Sequence, residues 1–467
     1  MFGPKMKILL TVLIASIAFL AVIFFPKYLL YISGLLLFGW YAISPDLKKL
    51  AILTIAVTAL ISQGLSEYVL SIRLLGFNIH IIEIMIVVIW AGCFIAALRV
   101  KEQINEFPKE YYFMIVFYFI VFISIFRGAD YSISHSFSAS RELFYYSVAF
   151  IAFIKIKKME DAKFVLNAFY LGIILYSIEL ISVYIWKGNP LREFINQQGI
   201  WGAGRISFRN HQLLLISLSV SFAMFGLKKY SNRFLNMAIF FISLIFITLG
   251  ESRILLLCAI TSIIAVFVLS LIKRNSNIDV SKYFILFAVI LSITVSSLTL
   301  LFYGDAGTKG IPYELKQRIS SVNKLNLDSS YKFREQQWFR EINKIRNYLW
   351  FGQGTKAFYN EFDQDNFENI YWDNTNTLFI RKVGLLGYIF ILLFCFCIFY
   401  KLIYIYVTSR DPYILAITIG LLSIIPGFVI RLFTSPFMIQ HKGIVIYAIL
   451  MGLVQRVYLI TKYGKIS

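Results

Sequence analysis

Long apolar segments alternate with short polar turns along most of the chain, and one long polar segment interrupts this pattern. A membrane-spanning helix needs about 20 apolar residues. Fourteen segments approach this length, at 6–25, 28–43, 50–66, 79–98, 111–126, 142–156, 164–186, 211–227, 234–250, 254–272, 283–303, 378–405, 413–431 and 443–460. The pattern therefore predicts an all-α polytopic membrane protein with about 14 transmembrane helices.

Lysine is concentrated in every second turn between the predicted spans. The lysine-rich turns are Lys48-Lys49, 99–109, 155–158, Lys228-Lys229 and Lys273-Arg274. Positively charged turns remain on the cytoplasmic side of a membrane. This rule predicts that both termini are cytoplasmic and that the long polar segment lies on the outer face of the cytoplasmic membrane.

The polar segment 304–376 is too long to be a simple connection and too rich in aromatic residues to be typical of disorder. Apolar spacing over 331–348 predicts an amphipathic helix at the membrane surface. Gly352 and Gly354 are expected to end this helix in a tight turn. We expect three parts: spans 1 to 11 in 1–303, a helical extracytoplasmic loop in 304–376, and spans 12 to 14 in 377–467.

Composition supports the membrane class and excludes several functions. Hydrophobic residues make up 59% of the chain and charged residues 15%, whereas soluble domains carry about 25% charged residues. The net charge of +20 is spread over short turns, which favours contact with membrane lipids and argues against nucleic-acid binding. The four cysteines lie in apolar runs and are interpreted as small apolar residues. We expect no metal and no cofactor.

The predicted outer face carries arginine where the cytoplasmic turns carry lysine. Arginine binds phosphate oxygens in a bidentate manner. Arg205 and Arg209 could form a clamp for a pyrophosphate, or could contact lipid phosphates. Arg253 could face a substrate, or could pair with Glu251 in the tight turn between two spans.

Two more arginines, Arg318 and Arg334, lie on either side of Asp328 in the polar segment. They could bind phosphate, or could form ion pairs within a solvated loop.

Transfer of a group to a hydroxyl requires a base that takes up the proton. Asp373 is the first candidate for this role, and Glu251 and His211 are the others. Asp373 could instead cap the helix that follows it, and His211 could be an ordinary hydrogen-bonded residue.

The remaining ionisable residues in apolar segments are given structural roles. We expect Glu142 to pair with Arg141, and His80 to meet Glu83 on one face of a helix. Glu179 and Arg431 belong to the same group, which would form the relay of a proton-coupled transporter.

The C-terminal part of the chain resembles the bacterial O-antigen polymerase and O-antigen ligase superfamily. The resemblance depends on the order of short motifs around the long polar segment. These are Gly204-Arg205, 208–211, Glu251-Ser252-Arg253, Arg318-Ile319-Ser320, Asp328-Ser329-Ser330, Arg334, Trp338, Phe351-Gly352-Gln353-Gly354, Asp373-Asn374-Thr375-Asn376 and Gly384-Leu385-Leu386-Gly387.

This resemblance implies a C-type membrane glycosyltransferase of the inner membrane that needs neither metal nor nucleotide. Its donor would be a glycan on undecaprenyl pyrophosphate. The residues implied for pyrophosphate or substrate binding are Arg205, Arg209, Arg253, Arg318, Arg334 and Asn374.

Ligases of the superfamily typically carry a histidine where this chain has Asp373, so the resemblance favours a polymerase. Its acceptor would be a second lipid-linked repeat unit. A chain-length regulator protein is a candidate partner of the polymerase. A ligase acting on lipid A–core is the alternative function within the superfamily.

An oligosaccharide transporter is the alternative of another class. Transporters have paired repeats and interrupted helices, and the sequence predicts neither.

Overall fold

A computed structural model describes most of the predicted helices and a few residues of the long polar segment. The described residues are 39–59, 71–74, 77–99, 108–129, 133–185, 211–227, 233–249, 253–273, 343, 345–346, 348–354, 375–433 and 441–463. Their helices are α1 Asp46–Ala59, α2 Ile81–Arg99, α3 Tyr111–Ala129, α4 Ile133–Phe144, α5 Val148–Lys155, α6 Met159–Ile185, α7 His211–Phe225, α8 Arg233–Leu249, α9 Arg253–Lys273, α10 Thr375–Thr408, α11 Pro412–Ser423, α12 Ile425–Leu432 and α13 His441–Tyr463.

The prediction of a helical membrane protein is confirmed in outline. Within the described residues, six helical stretches are long and apolar enough to cross a membrane. They are Tyr111–Gly128, Met159–Ile178, Ile254–Lys273, Asn376–Thr408, Pro412–Leu432 and Gly443–Tyr463. Shorter apolar helices cover three further predicted spans, at Ile82–Phe94, Leu213–Phe225 and Arg233–Ile247. The predicted spans 6–25 and 283–303 lie outside the described residues.

Two details of the predicted architecture are wrong. A short antiparallel hairpin, β1 (Ser71–Leu74) with β2 (Phe77–His80), precedes α2. The predicted span 142–156 is divided among the end of α4, a single 3₁₀ turn at Tyr145–Ser147, and the short helix α5. The reason is that α4 is amphipathic and polar, so that only α5 carries a continuous apolar run.

Helix α13 occupies the centre of the described bundle. It packs against α5 and α10, and also contacts α1, α4, α6 and α7. Gly452 permits its close approach to α5, because a Cβ atom at that position would overlap the backbone carbonyl of Ala149. Small residues allow this kind of backbone contact between membrane helices. Gly420 of α11 has the same role against Val220 of α7.

Lysine residues from several predicted cytoplasmic turns lie at one end of the bundle. Asp46 forms ion pairs with Lys155 at 2.7 Å and with Lys49 at 3.5 Å, which joins the start of α1 to the end of α5. Lys401 pairs with Glu110, which lies just before α3. Lys273, the last residue of α9, donates to the carbonyl oxygen of Val407 near the end of α10. We call this the lysine end.

The contacts between helices fix the direction in which several of them run. Lys401 lies beside the start of α3, and Ser124 near the end of α3 hydrogen bonds to Lys382, so α3 and α10 are antiparallel. Helices α9 and α10 both finish at the lysine end, where Tyr406 Oη donates to the carbonyl oxygen of Leu269 at 2.7 Å. Both helices therefore begin at the opposite end of the bundle.

Candidate functional site

Most of the predicted site residues lie outside the described part of the chain. These are Arg205, Arg209, Glu251, Arg318, Arg334, Asp373 and Asn374. Two others begin helices: His211 is the first residue of α7 and Arg253 is the first residue of α9. The structure defines the backbone position of these two residues, and their proposed roles remain predictions.

Two helices that follow the predicted motifs in sequence begin at the same end of the bundle. Helices α9 and α10 begin opposite the lysine end, as described above. We call this the opposite end. Free backbone N–H groups at helix starts attract anions, so two such starts favour anion binding there.

Helix α10 is broken near its start at this opposite end. Gly384 has φ of 74° and ψ of 175°, which is not helical. The break separates a short first segment, 375–383, from a long second segment that ends at Thr408. Only glycine adopts this backbone conformation readily. The expectation of uninterrupted helices is therefore wrong for α10.

The break is filled by the turn at 348–354. In a continuous helix, the N–H groups of Leu385 and Leu386 would bond to the carbonyl groups of residues four positions earlier. They bond instead to the carbonyl oxygens of Leu349, at 2.7 Å, and Trp350, at 3.2 Å. Two helical hydrogen bonds are thus replaced by two bonds to the turn.

The two carbonyl groups released by the break also have new partners. The carbonyl oxygen of Arg381 accepts from the N–H of Gln353 at 2.8 Å, and that of Lys382 accepts from Ser124 Oγ. Backbone groups inside a membrane protein must be satisfied within the protein. The turn and α3 supply hydrogen-bond partners for all four of these N–H and carbonyl groups. The break is therefore a stable part of the fold.

Two glycines of the turn are required for this close contact. Gly352 has φ of 70°, and a Cβ atom there would lie 2.6 Å from the carbonyl oxygen of Arg381. Gly354 has φ of 102°, and its Cβ atom would lie 2.8 Å from the Cα atom of Gly128. The sequence-based prediction of a tight turn at these glycines is confirmed, and its docking against α10 and α3 is a further finding.

The first segment of α10 also carries two buried basic side chains. Arg381 is 1% exposed, and its Nε donates to Gln353 Oε1 at 2.6 Å. Lys382 is 7% exposed; its Nζ lies 3.6 Å from Glu142 Oε2 and donates to the carbonyl oxygen of Ala139 at 3.2 Å. These contacts tie the segment to the turn on one side and to α4 on the other.

A second ion pair at this end joins α4 to α2. Arg141 Nε lies 3.3 Å from Glu83 Oε1, and the same oxygen accepts from Tyr145 Oη at 2.6 Å. The predicted local pair between Arg141 and Glu142 is therefore wrong, because each residue pairs with a different helix. The predicted meeting of His80 and Glu83 on one helical face is also wrong, because His80 ends strand β2.

The sequence alone does not indicate that Arg381, Lys382 and Gln353 form a connected group. The sequence does contain two glycine-rich motifs, 351–354 and 384–387, and these motifs pack against each other in the fold. Read separately, each motif indicated no more than a turn or a family resemblance.

A search of curated proteins found no significant match. A family model described as O-antigen ligase matches residues 238–381. The matched segment includes α8 from residue 238 onward, α9, the turn at 348–354 and the first segment of α10 as far as Arg381. Over these residues the chain is similar to the O-antigen ligase family, which supports the resemblance to the O-antigen polymerase and ligase superfamily.

Proposed function

We propose that the protein is a surface-polysaccharide polymerase of a bacterial inner membrane, with its opposite end on the outer face. It would transfer a growing glycan from undecaprenyl pyrophosphate to a lipid-linked repeat unit. The main support is the family match over 238–381, combined with Asp373 in place of the histidine that the resemblance implies for a ligase.

The reaction needs one base and a cationic site for the leaving group. A hydroxyl oxygen of the acceptor attacks the anomeric carbon of the donor glycan and forms the new glycosidic bond. The bond from that carbon to the pyrophosphate oxygen breaks, undecaprenyl pyrophosphate leaves, and the hydroxyl proton passes to the base. We assign the base to Asp373, with Glu251 and His211 as the other candidates.

The arginines are assigned to the leaving group. Arg205, Arg209, Arg253, Arg318 and Arg334 would hold the pyrophosphate before and during its departure. Positive charge that is already in place stabilises the developing charge without reorganisation. The common starting end of α9 and α10 supports this assignment for Arg253, because Arg253 is the first residue of α9.

An O-antigen ligase is the second candidate, and one observation favours it: the matching family model is described as O-antigen ligase. The acceptor would then be lipid A–core, and the leaving group and its binding residues would be the same. A transporter is a weaker alternative. Transporters typically carry broken helices in matching positions of two repeated halves, and α10 has one such break.

A deletion strain distinguishes these functions when its lipopolysaccharide is separated by chain length on a gel. Core carrying a single repeat is the result expected for a polymerase. Bare core together with accumulated lipid-linked polymer would identify a ligase. Lipid-linked single repeats retained on the cytoplasmic face would identify a transporter and exclude both enzymes.

Complementation then tests the proposed site. Wild type and Arg410→Ala, a change of an exposed arginine near the lysine end, should both restore long chains. Arg253→Ala should not restore them at an equal protein level. Full-length chains from Arg253→Ala would overturn the pyrophosphate assignment.

A further inference from the structure

We propose that Arg381 is a positioning residue for the glycosyl transfer, and that it acts through Gln353 to hold the start of α10 in place. This inference rests on the proposed function, since Asp373 and Asn374 directly precede α10 in the sequence. Arg381 is 1% exposed, so its role is to orient protein groups rather than to touch a substrate.

Arg381 and Gln353 are joined by two hydrogen bonds in opposite directions. The guanidinium Nε of Arg381 donates to the side-chain oxygen of Gln353 at 2.6 Å, and the backbone N–H of Gln353 donates to the carbonyl oxygen of Arg381 at 2.8 Å. The pair therefore fixes both the side chain and the backbone of the turn against the first segment of α10.

Stability alone does not account for a buried arginine at this place. Replacing buried charged groups by apolar residues of similar volume is often neutral or stabilising. A fork of N–H donors, however, fixes direction in a way that an apolar contact does not. The geometry therefore points to an orienting role for the guanidinium.

The break at Gly384 makes this orientation matter. Because the helical hydrogen bonds are interrupted there, the second segment of α10 does not by itself set the direction of the first. The first segment, 375–383, is about 13 Å long at 1.5 Å per residue. A tilt of about 5° at the break would move its start by about 1 Å, and a misplacement of about 1 Å can cost about 100-fold in rate.

Three variants of the full chain separate orientation from packing. Gln353→Met removes the acceptor but keeps a similar volume, whereas Gln353→Glu keeps an acceptor for the guanidinium. Lys401→Met is the matched control, since Lys401 is also a buried cation of α10, 7% exposed, but lies at the lysine end. Membranes containing each variant are supplied with the lipid extract of the deletion strain, and the initial rate of polymer formation is measured over a range of extract concentrations.

We expect Gln353→Met to lower the maximal rate about 10-fold or more, with little change in the extract concentration that gives half of that rate. Gln353→Glu should stay within a few-fold of wild type. Lys401→Met should keep the wild-type rate per folded molecule, even if its yield falls.

Equal rates for Gln353→Met and wild type would overturn the positioning role. A loss in Gln353→Glu as large as that in Gln353→Met would also overturn it, because Gln353→Glu keeps the acceptor for the guanidinium, and the hydrogen bond to Arg381 would then not be decisive. If wild type forms no polymer from the extract, the proposed function itself fails.

Discussion

Replacing Gly384 by alanine should separate the turn at 348–354 from α10. The backbone at this position has φ of 74° and ψ of 175°, a conformation that costs a non-glycine residue about 1–3 kcal/mol. The added Cβ atom would also overlap the carbonyl group of Trp350 and lie 2.5 Å from the Cα atom of Phe351. These are backbone atoms, so a side-chain rotation cannot relieve the overlap.

The expected cost follows from these contacts. The backbone strain destabilises the docked state by about 1–3 kcal/mol, before the overlap with Trp350 is included. The hydrogen bonds from Leu385 and Leu386 to the turn, about 0.5–1.5 kcal/mol each, oppose opening in wild type and variant alike and therefore cancel in the comparison. A change of 1.4 kcal/mol is tenfold in an equilibrium constant, so the open state should gain about fivefold or more in population.

Limited trypsin digestion of the membrane-embedded protein measures this opening. Arg346, which is exposed and lies just before the turn, is the cleavage site to monitor. Cleavage should be faster in Gly384→Ala than in wild type, and polymer formation should be lower. Gly39→Ala is the control, because a Cβ atom at Gly39 would meet nothing within 4 Å. Wild-type cleavage and wild-type polymer in Gly384→Ala would refute the reasoning.

Three further predictions concern an ion pair at the opposite end, a close contact between helices, and the proposed pyrophosphate site. Glu142→Gln removes the carboxylate 3.6 Å from Lys382 Nζ and should cost about 3–5 kcal/mol. The melting temperature in detergent should fall and should recover in the double variant Glu142→Leu with Lys382→Met; no recovery would contradict the pairing. Gly452→Val should push α13 away from α5 and lower the melting temperature, at a cost of about 1–3 kcal/mol, and an unchanged value would show that the helices have room to separate. Arg253→Lys keeps the charge but loses bidentate geometry, so its polysaccharide chains should be shorter on a gel than those of Arg410→Lys; equal lengths would exclude a bidentate role.

The sequence predicted best those helices that an apolar run specifies by itself. The predicted spans 111–126, 254–272 and 443–460 correspond to α3, α9 and α13 with ends that differ by a few residues. Helix α4 was missed because its side chains are largely polar, and its position depends on contacts with α3 and on the ion pair between Glu142 and Lys382. Such contacts between distant parts of the chain have no local signal.

The break in α10 was not predicted for the same reason: it depends on a contact between distant parts of the chain. Gly384 lies in an apolar run, and glycine is common in membrane helices, so the residue alone does not indicate an interrupted helix. The break at Gly384 depends on Gly352, which lies in a different motif and packs against the backbone of α10 beside Gly384. The predicted base and pyrophosphate-binding residues depend on sequence and family resemblance, and the structure contributes the common end at which α9 and α10 begin.

The central position of α13 has a consequence for synthesis of the protein in the cell. Ribosomes release the chain from its N-terminus, so α13 is the last of the described helices to reach the membrane. Until then the faces of α5 and α10 that it covers have no protein partner, and Gly452 has not yet met α5. The nascent protein therefore passes through a stage in which its earlier helices are inserted but open at the centre, a state available to chaperones and to membrane proteases.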